Sequence, residues 1–215
     1  VGVADRRGRL VVTHALESVP TVLVPAPAPV ADRYDKAWWG MLVVVATEGM
    51  IFLVLLAANF FLRASAKEWP PPGIERPELM QASIYSVVLV GSSLPVFWAD
   101  AAIRRGRVGQ AQLGLLVSWL MGAVFLVHTV VDFEALHFGW RDNAYGSVYY
   151  TIIGLHALHV FVGLLFGAIV QIKLQRGLLD AHRHVTLDVF SLYWHFVDVV
   201  WIFVFFSLIV SVHIR

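Results

Sequence analysis

A histidine and a carboxylate stand three residues apart in Tyr193-Trp194-His195-Phe196-Val197-Asp198-Val199-Val200-Trp201, inside an apolar, aromatic run of membrane-spanning length. Glu48, His128, His156 and His159 sit in equally apolar surroundings, and no Lys or Arg falls well inside such a run. In hydrocarbon an ionisable side chain costs about 2.5–3.5 kcal/mol on insertion scales, so it needs a partner and usually has a role. Imidazoles and carboxylates can hydrogen-bond across helices and fix their register. Histidines on facing helices can ligate a haem or metal, and His128 with His156 or His159 is the pair of similar depth. Glu48, His159, His195 and Asp198 could also line a proton or ion path, although no basic residue gates it and no broken mid-membrane helix holds a substrate. A group such as Glu48 facing a lipid head group is a fourth role. From the residues alone these readings stay open.

Soluble-enzyme constellations are absent: no nucleophile elbow, no phosphate-cradling glycine loop and no zinc-protease helix pattern. With no cysteine in the chain, disulfides, thiolate zinc sites, iron–sulfur ligation and thiol catalysis are excluded. His182-Arg183-His184 reads as solvated loop polarity rather than a metal site. A formal charge of +1 gives no reason to expect nucleic-acid binding.

The elements that position these groups follow from hydropathy. The 215 residues are 59% hydrophobic and 14% charged, with a mean hydropathy of +0.73. Soluble domains carry about a quarter charged residues, so the composition argues for an all-α integral membrane protein. Five apolar segments, at about 37–62, 79–99, 111–131, 147–173 and 188–213, each approach the roughly 20 residues a spanning helix needs. Residues 37–215 are therefore expected to form one five-helix transmembrane domain. Pro70-Pro71-Pro72-Gly73 breaks the first connection, and Pro95 should kink the second helix near one end. Residues 1–36 hold no apolar run of signal-peptide length, which predicts no cleavable signal. Their Val24-Pro25-Ala26-Pro27-Ala28-Pro29 stretch favours polyproline II, so 1–36 reads as an extended cytoplasmic arm, a candidate docking strap. Lys and Arg number eleven on the side of the arm and the second and fourth loops, against five on the other. Without the distal Arg6, Arg7 and Arg9 the tally is still eight against five. The positive-inside rule then puts the N-terminus in the cytoplasm and the C-terminus outside.

Helical spacing groups the polar residues. At 100° per residue His156, His159, Gly163 and Gly167 fall within an arc of about 80°, so the histidines lie on a small-residue packing seam. Asp188, Ser191, His195 and Asp198 share a face of the last helix, and Glu48 aligns with Met41, Leu55 and Asn59 on the first. These three faces are expected to meet in one interior.

Three stretches resemble a known family. Ala46-Thr47-Glu48-Gly49-Met50-Ile51-Phe52 is similar to an (S/T)-E-x-x-F segment with an intramembrane glutamate. Gly154-Leu155-His156-Ala157-Leu158-His159-Val160-Phe161-Val162-Gly163 is similar to G-x-H-x-x-H-V-x-x-G, and Tyr193 to Trp201 resembles a terminal Y-W-H-F-V-D-x-V-W signature. Together they resemble subunit III of haem–copper terminal oxidases (cytochrome c or quinol oxidases), in a short five-helix form, over about residues 35–213. One departure is His128, which stands where that family usually has glutamine. Its following acidic residue reads Val131 or shifts to Asp132, so the outer end of the third helix is expected to meet a different partner.

The resemblance implies a subunit with no haem, copper or catalytic centre of its own, the haem and copper belonging to partner catalytic subunits. It implies direct packing on subunit I, contact with other oxidase subunits and possible membership of a respiratory supercomplex, in a bacterial cytoplasmic membrane. It further implies phospholipid binding and support of proton uptake, while dioxygen reduction with proton translocation belongs to the complex. Glu48, His156, His159, His195 and Asp198 become packing groups beside a proton-uptake surface. The alternatives are a similar companion of nitric-oxide reductase, an independent proton-coupled transporter and a b-type cytochrome.

Overall fold

A computed structural model describes residues 30–74 and 77–213, with side chains from residue 36 onward. Its helices are α1 (Val30–Ser65), α2 (Leu79–Gly91), α3 (Ser93–Arg104), α4 (Val108–Ala135), α5 (Ala144–Gln175) and α6 (Val185–Phe205). A π-helical turn, Phe206–Val210, follows α6 and leads into a last helical turn, α7 (Ser211–His213). α2 with α3, and α6 with its two terminal turns, each make one span, so five stretches are long and apolar enough to cross a membrane. Among the described residues there is no strand.

The helices outrun the apolar windows that reveal them. The second span continues to Arg104, past residue 99, because Arg104 lies one turn beyond Asp100 and pairs with it at 3.2 Å. Hydropathy marks hydrocarbon depth, and such i,i+4 pairs carry the helix beyond it. α1 starts at Val30, the first residue after Pro29, so the backbone of the arm's last seven residues is helical rather than extended. The Pro/Ala stretch itself lies outside the described residues.

The second span is irregular, but the irregularity is a break at its middle, between α2 and α3, rather than a kink near one end. Proline at position 95 has no N–H to offer the Gly91 carbonyl and its ring crowds that group. The helix breaks at Ser92, three residues ahead of the proline, and resumes as α3. Gly106 (φ 72°) and Gly177 (φ 66°) turn the chain just after α3 and α5, taking the left-handed conformation that a Cβ resists.

α3 packs on α4 and α6, α4 on α5, and α5 on α6, with α2 against α4 and α6. The centre of this bundle is Trp194. A Cβ on Gly122 of α4 would lie 2.7 Å from its ring, and one on Gly163 of α5 would lie 2.8 Å away, so the indole occupies a slot between two glycines. α1 stands apart: 6% of its apolar window is buried within the chain, against 33–50% for the other four spans. It meets the bundle through buried Phe52 and Asn59, through partly buried Met41, Leu55, Leu56 and Leu62, through Gly49 against Phe196, and through two polar ties.

Candidate functional site

The polar side chains gather into two groups rather than one interior. The first joins α1 to α5. Glu48 Oε2 lies 3.2 Å from His159 Nε2, and His159 Nδ1 lies 2.8 Å from the Leu155 carbonyl. A carbonyl only accepts, so Nδ1 carries a hydrogen, and the Glu48–His159 contact then needs one further proton shared between them. Tyr193 donates to the His159 carbonyl at 3.0 Å, and Phe52 packs edge-on against the ring. Farther along α1, Arg63 donates to Ser211 Oγ at 2.6 Å and to the Ser211 carbonyl at 2.9 Å.

His156 shares the seam with His159 but looks inward. It is 1% exposed and boxed by Phe52, Phe125 and Trp201, and neither ring nitrogen has a hydrogen-bond partner.

The second group is a ladder between the broken α2–α3 span and α6. Trp201 Nε1 donates to Ser86 Oγ at 2.9 Å, and Trp194 Nε1 to Ser92 Oγ at 2.8 Å. Next come His195 and Asp198. Ser191 Oγ lies 3.1 Å from His195 Nε2, Ser93 Oγ lies 2.9 Å from His195 Nδ1, and Ser93 donates to Asp198 Oδ2. The hydroxyl of Ser93 has one hydrogen, spent on Asp198, so His195 Nδ1 donates to Ser93 and Nε2 accepts from Ser191. Donation therefore runs one way, from Ser191 through His195 and Ser93 to Asp198. Phe97 stacks on the imidazole at 3.9 Å. The ladder ends where Arg104 bonds Asp188 at 2.6 Å and Asp100 at 3.2 Å, with His184 3.6 Å from Asp188.

Serine, histidine and aspartate here are no nucleophilic triad. In a triad the carboxylate orients the imidazole and the imidazole takes the serine proton. In this chain the carboxylate accepts from the serine itself, which leaves the hydroxyl capped. The arrangement can hold helices in register and hand hydrogen bonds along a line.

His128 faces α2. It stacks on Tyr85 at 3.5 Å, meets Gln81 Nε2 at 3.0 Å and lies 3.9 Å from Asp132. His156 is enclosed by aromatics and His159 is turned to Glu48, so the axial pair weighed from the sequence is not assembled. Among the described residues no three His, Asp or Glu side chains cluster as a metal would require. Outside the spans, the α5–α6 turn is closed by Asp180, which accepts from the backbone of His182 and Arg183 at 2.8 Å each. The His182 amide bond leads in holding its carboxyl below the ordinary carboxylate value.

The serines Ser86, Ser92 and Ser93 were not singled out by sequence, nor was the Asp100–Arg104–Asp188 cluster. The signals are there in hindsight: small polar residues ahead of Pro95, and an acid and an arginine one turn apart.

Comparison with known proteins agrees with this architecture. The family described as Cytochrome c oxidase subunit III matches residues 34–211, which takes in all five spans. Cytochrome c oxidase subunit 3 of Thermostichus vulcanus is 35% identical over 167 residues, covering 77% of this chain and 83% of that one. The protein of the same name from Synechocystis sp. is 33% identical over 172 residues, covering 80% and 74%. That from Arabidopsis thaliana is 33% identical over 176 residues, covering 79% and 66%. With the intramembrane glutamate, the paired histidines and the terminal His–Asp helix each placed on the span that the motifs assign them, this chain belongs to the cytochrome c oxidase subunit III family.

Proposed function

We propose that this chain is the non-catalytic subunit III of a respiratory haem–copper oxidase, seated directly on the catalytic subunit I. The observation that carries the reading is the family match over residues 34–211. The geometry agrees with a supporting role. Glu48 with His159, Arg63 with Ser211, and Ser93 with His195 and Asp198 use their partners to join helices. In this reading haem and copper sit in the partner subunits, and electrons and dioxygen are handled there.

The spans make the chain a multi-pass membrane protein. Its membrane in this proposal is the bacterial cytoplasmic membrane, with the arm inside and the C-terminus outside, as the charge count of eleven to five favours. α1 leaves large apolar side chains such as Val43, Met50, Val54 and Phe61 uncovered, which subunit I and phospholipid would cover. Glu48, His156, His159, His195 and Asp198 act as packing groups beside a surface that supports proton uptake.

Purification in a gentle detergent through a tag on this chain tests the proposal. A haem–copper subunit should copurify, giving a haem spectrum that the isolated chain lacks. Recovery of the chain without any such subunit from oxidase-expressing membranes would overturn it.

A further inference from the structure

Near the outer end of the bundle a cavity of about 30 Å³ lies between α2, α4, α5 and the last span. Phe125, Ile153 and Trp201 close its deep end, and the polar groups His128, Thr129, Asp132 and Tyr149 line it farther out. Such a volume is about the share of one water molecule in the liquid.

The α4 wall is one helical face. Phe125, His128, Thr129 and Asp132 stand at i, i+3, i+4 and i+7. An acid at position 131 would point about 100° away, where Val131 is exposed. Standing at 132 instead, the carboxylate joins His128 on the cavity side.

The hydrogen bonds of this wall leave three groups unmatched. Gln81 Nε2 lies 3.0 Å from His128 Nε2, and an amide nitrogen only donates, so the imidazole nitrogen accepts there. It has no hydrogen left for Asp132, which is 3.9 Å away, a separation that a bridging water rather than a direct bond serves. Asp132 receives no hydrogen bond from another described residue. Thr129 Oγ1 donates to the Phe125 carbonyl and keeps its lone pairs. Tyr149 is 4% exposed, and its hydroxyl proton meets no acceptor among the described residues. One donor and two acceptors therefore border a space of one water, and a buried water typically makes about three hydrogen bonds.

We propose that this cavity is the binding site of a single ordered water. The water accepts from the Tyr149 hydroxyl and donates to Thr129 Oγ1 and to the Asp132 carboxylate. It gives the phenol an acceptor and the carboxylate a donor, and it fastens α4 to α5 at their outer ends. The inference goes beyond the subunit reading and does not need it, because every group involved belongs to this chain.

The test images the tagged protein, with whatever subunits it retains, by electron cryomicroscopy at a resolution that shows ordered water. Wild type should show one peak at hydrogen-bonding distance, about 2.7–3.2 Å, from Tyr149 Oη, Thr129 Oγ1 and an Asp132 oxygen. Y149F and T129V each leave the water two of these partners and should weaken or remove the peak. Y150F, which deletes a hydroxyl bonded to the Phe138 carbonyl instead, should keep it. In thermal unfolding Y149F should lower Tm by about 2–4 °C, and Y149F/T129V should lose less than the sum of the two single changes. An unfilled cavity in a wild-type map that resolves other buried waters would overturn the proposal, as would a peak of full height in both Y149F and T129V. So would a peak about 2.0–2.6 Å from Asp132, the range of metal–oxygen bonds, since the site would then hold a cation. Strict additivity of the two changes would overturn the bridging role.

Discussion

Gly163→Ala should damage this protein far more than Gly154→Ala, although both add one methyl to the same helix. At Gly154 a new Cβ would find only Phe133, at 3.9 Å, an ordinary contact. Replacing glycine inside a helix by alanine then gains up to about 1 kcal/mol of helix propensity on soluble scales. At Gly163 the methyl would lie 2.8 and 2.9 Å from two ring carbons of Trp194 and 3.2 Å from Tyr193. The indole cannot back away, because on its far side Gly122 has the same clearance, 2.7 Å to a would-be Cβ. Nor can it rotate freely, since its Nε1 is bonded to Ser92. Overpacking of this kind costs about 1–3 kcal/mol, and tearing the indole from Ser92 adds about 0.5–1.5 kcal/mol. After the propensity gain, G163A should be less stable by about 1–3 kcal/mol while G154A is neutral or slightly better. Reversible unfolding of the purified chain in mixed detergent micelles, followed by tryptophan fluorescence, measures both. W194F deletes the ring atoms that clash, so G163A/W194F should be less destabilised than the two single changes together. Equal stability of G163A and G154A, or strict additivity with W194F, would refute the slot.

Ser93→Ala removes the single hydroxyl that serves both His195 and Asp198 and should cost about 1–3 kcal/mol in the same assay, with S93A/D198N costing less than the sum. Arg63→Ala cuts one of the two polar ties of α1. Because so little of that helix is buried, R63A should expose it to limited proteolysis in detergent while leaving α4–α6 protected. At the α5–α6 turn, the carboxyl of Asp180 is depressed by backbone hydrogen bonds. A depressed folded value means the turn gains stability above the ordinary carboxylate pKa and loses it as the pH falls through the lower, folded one. Amide exchange at His182 and Arg183 should therefore accelerate on acidification below the ordinary carboxylate range, and D180A should exchange fast at every pH.

The spans were legible because hydrocarbon leaves little choice: about 20 apolar residues between polar breakers form a helix. Their ends were not, since residues such as Asp100 and Arg104 continue a helix by pairing on it after hydropathy has fallen. The break near Pro95 could be read from covalent chemistry alone. The facing of the polar groups was legible helix by helix: Asp188, Ser191, His195 and Asp198 do share a face, and Asn59, with partly buried Met41 and Leu55, turns inward with Glu48. Which faces meet was not, because helical phase says nothing about neighbours. Glu48 finds His159, whereas His195 and Asp198 find Ser93 on the opposite flank. The serines were overlooked because a hydroxyl in an apolar helix can bond its own backbone, as Thr129 does to Phe125. Only the three-dimensional juxtaposition shows that Ser92 and Ser93 bond across to α6, and that Ser86, while donating to the Ala82 carbonyl of its own helix, accepts from Trp201.

The serine ladder constrains how this subunit can move. Its rungs run antiparallel along the two spans, from Ser86 and Trp201, through the neighbouring rungs Ser92–Trp194 and Ser93–His195, to Arg104 and Asp188. Sliding either span past the other by one helical turn would shift every rung by about 5.4 Å and break them together. Piston-like displacement is thereby closed to this pair, which must tilt or travel as a single lever. α1, tied at Glu48 and Arg63 with Phe52 and Asn59 buried, lies outside this ladder and is the span least covered by the rest of the chain.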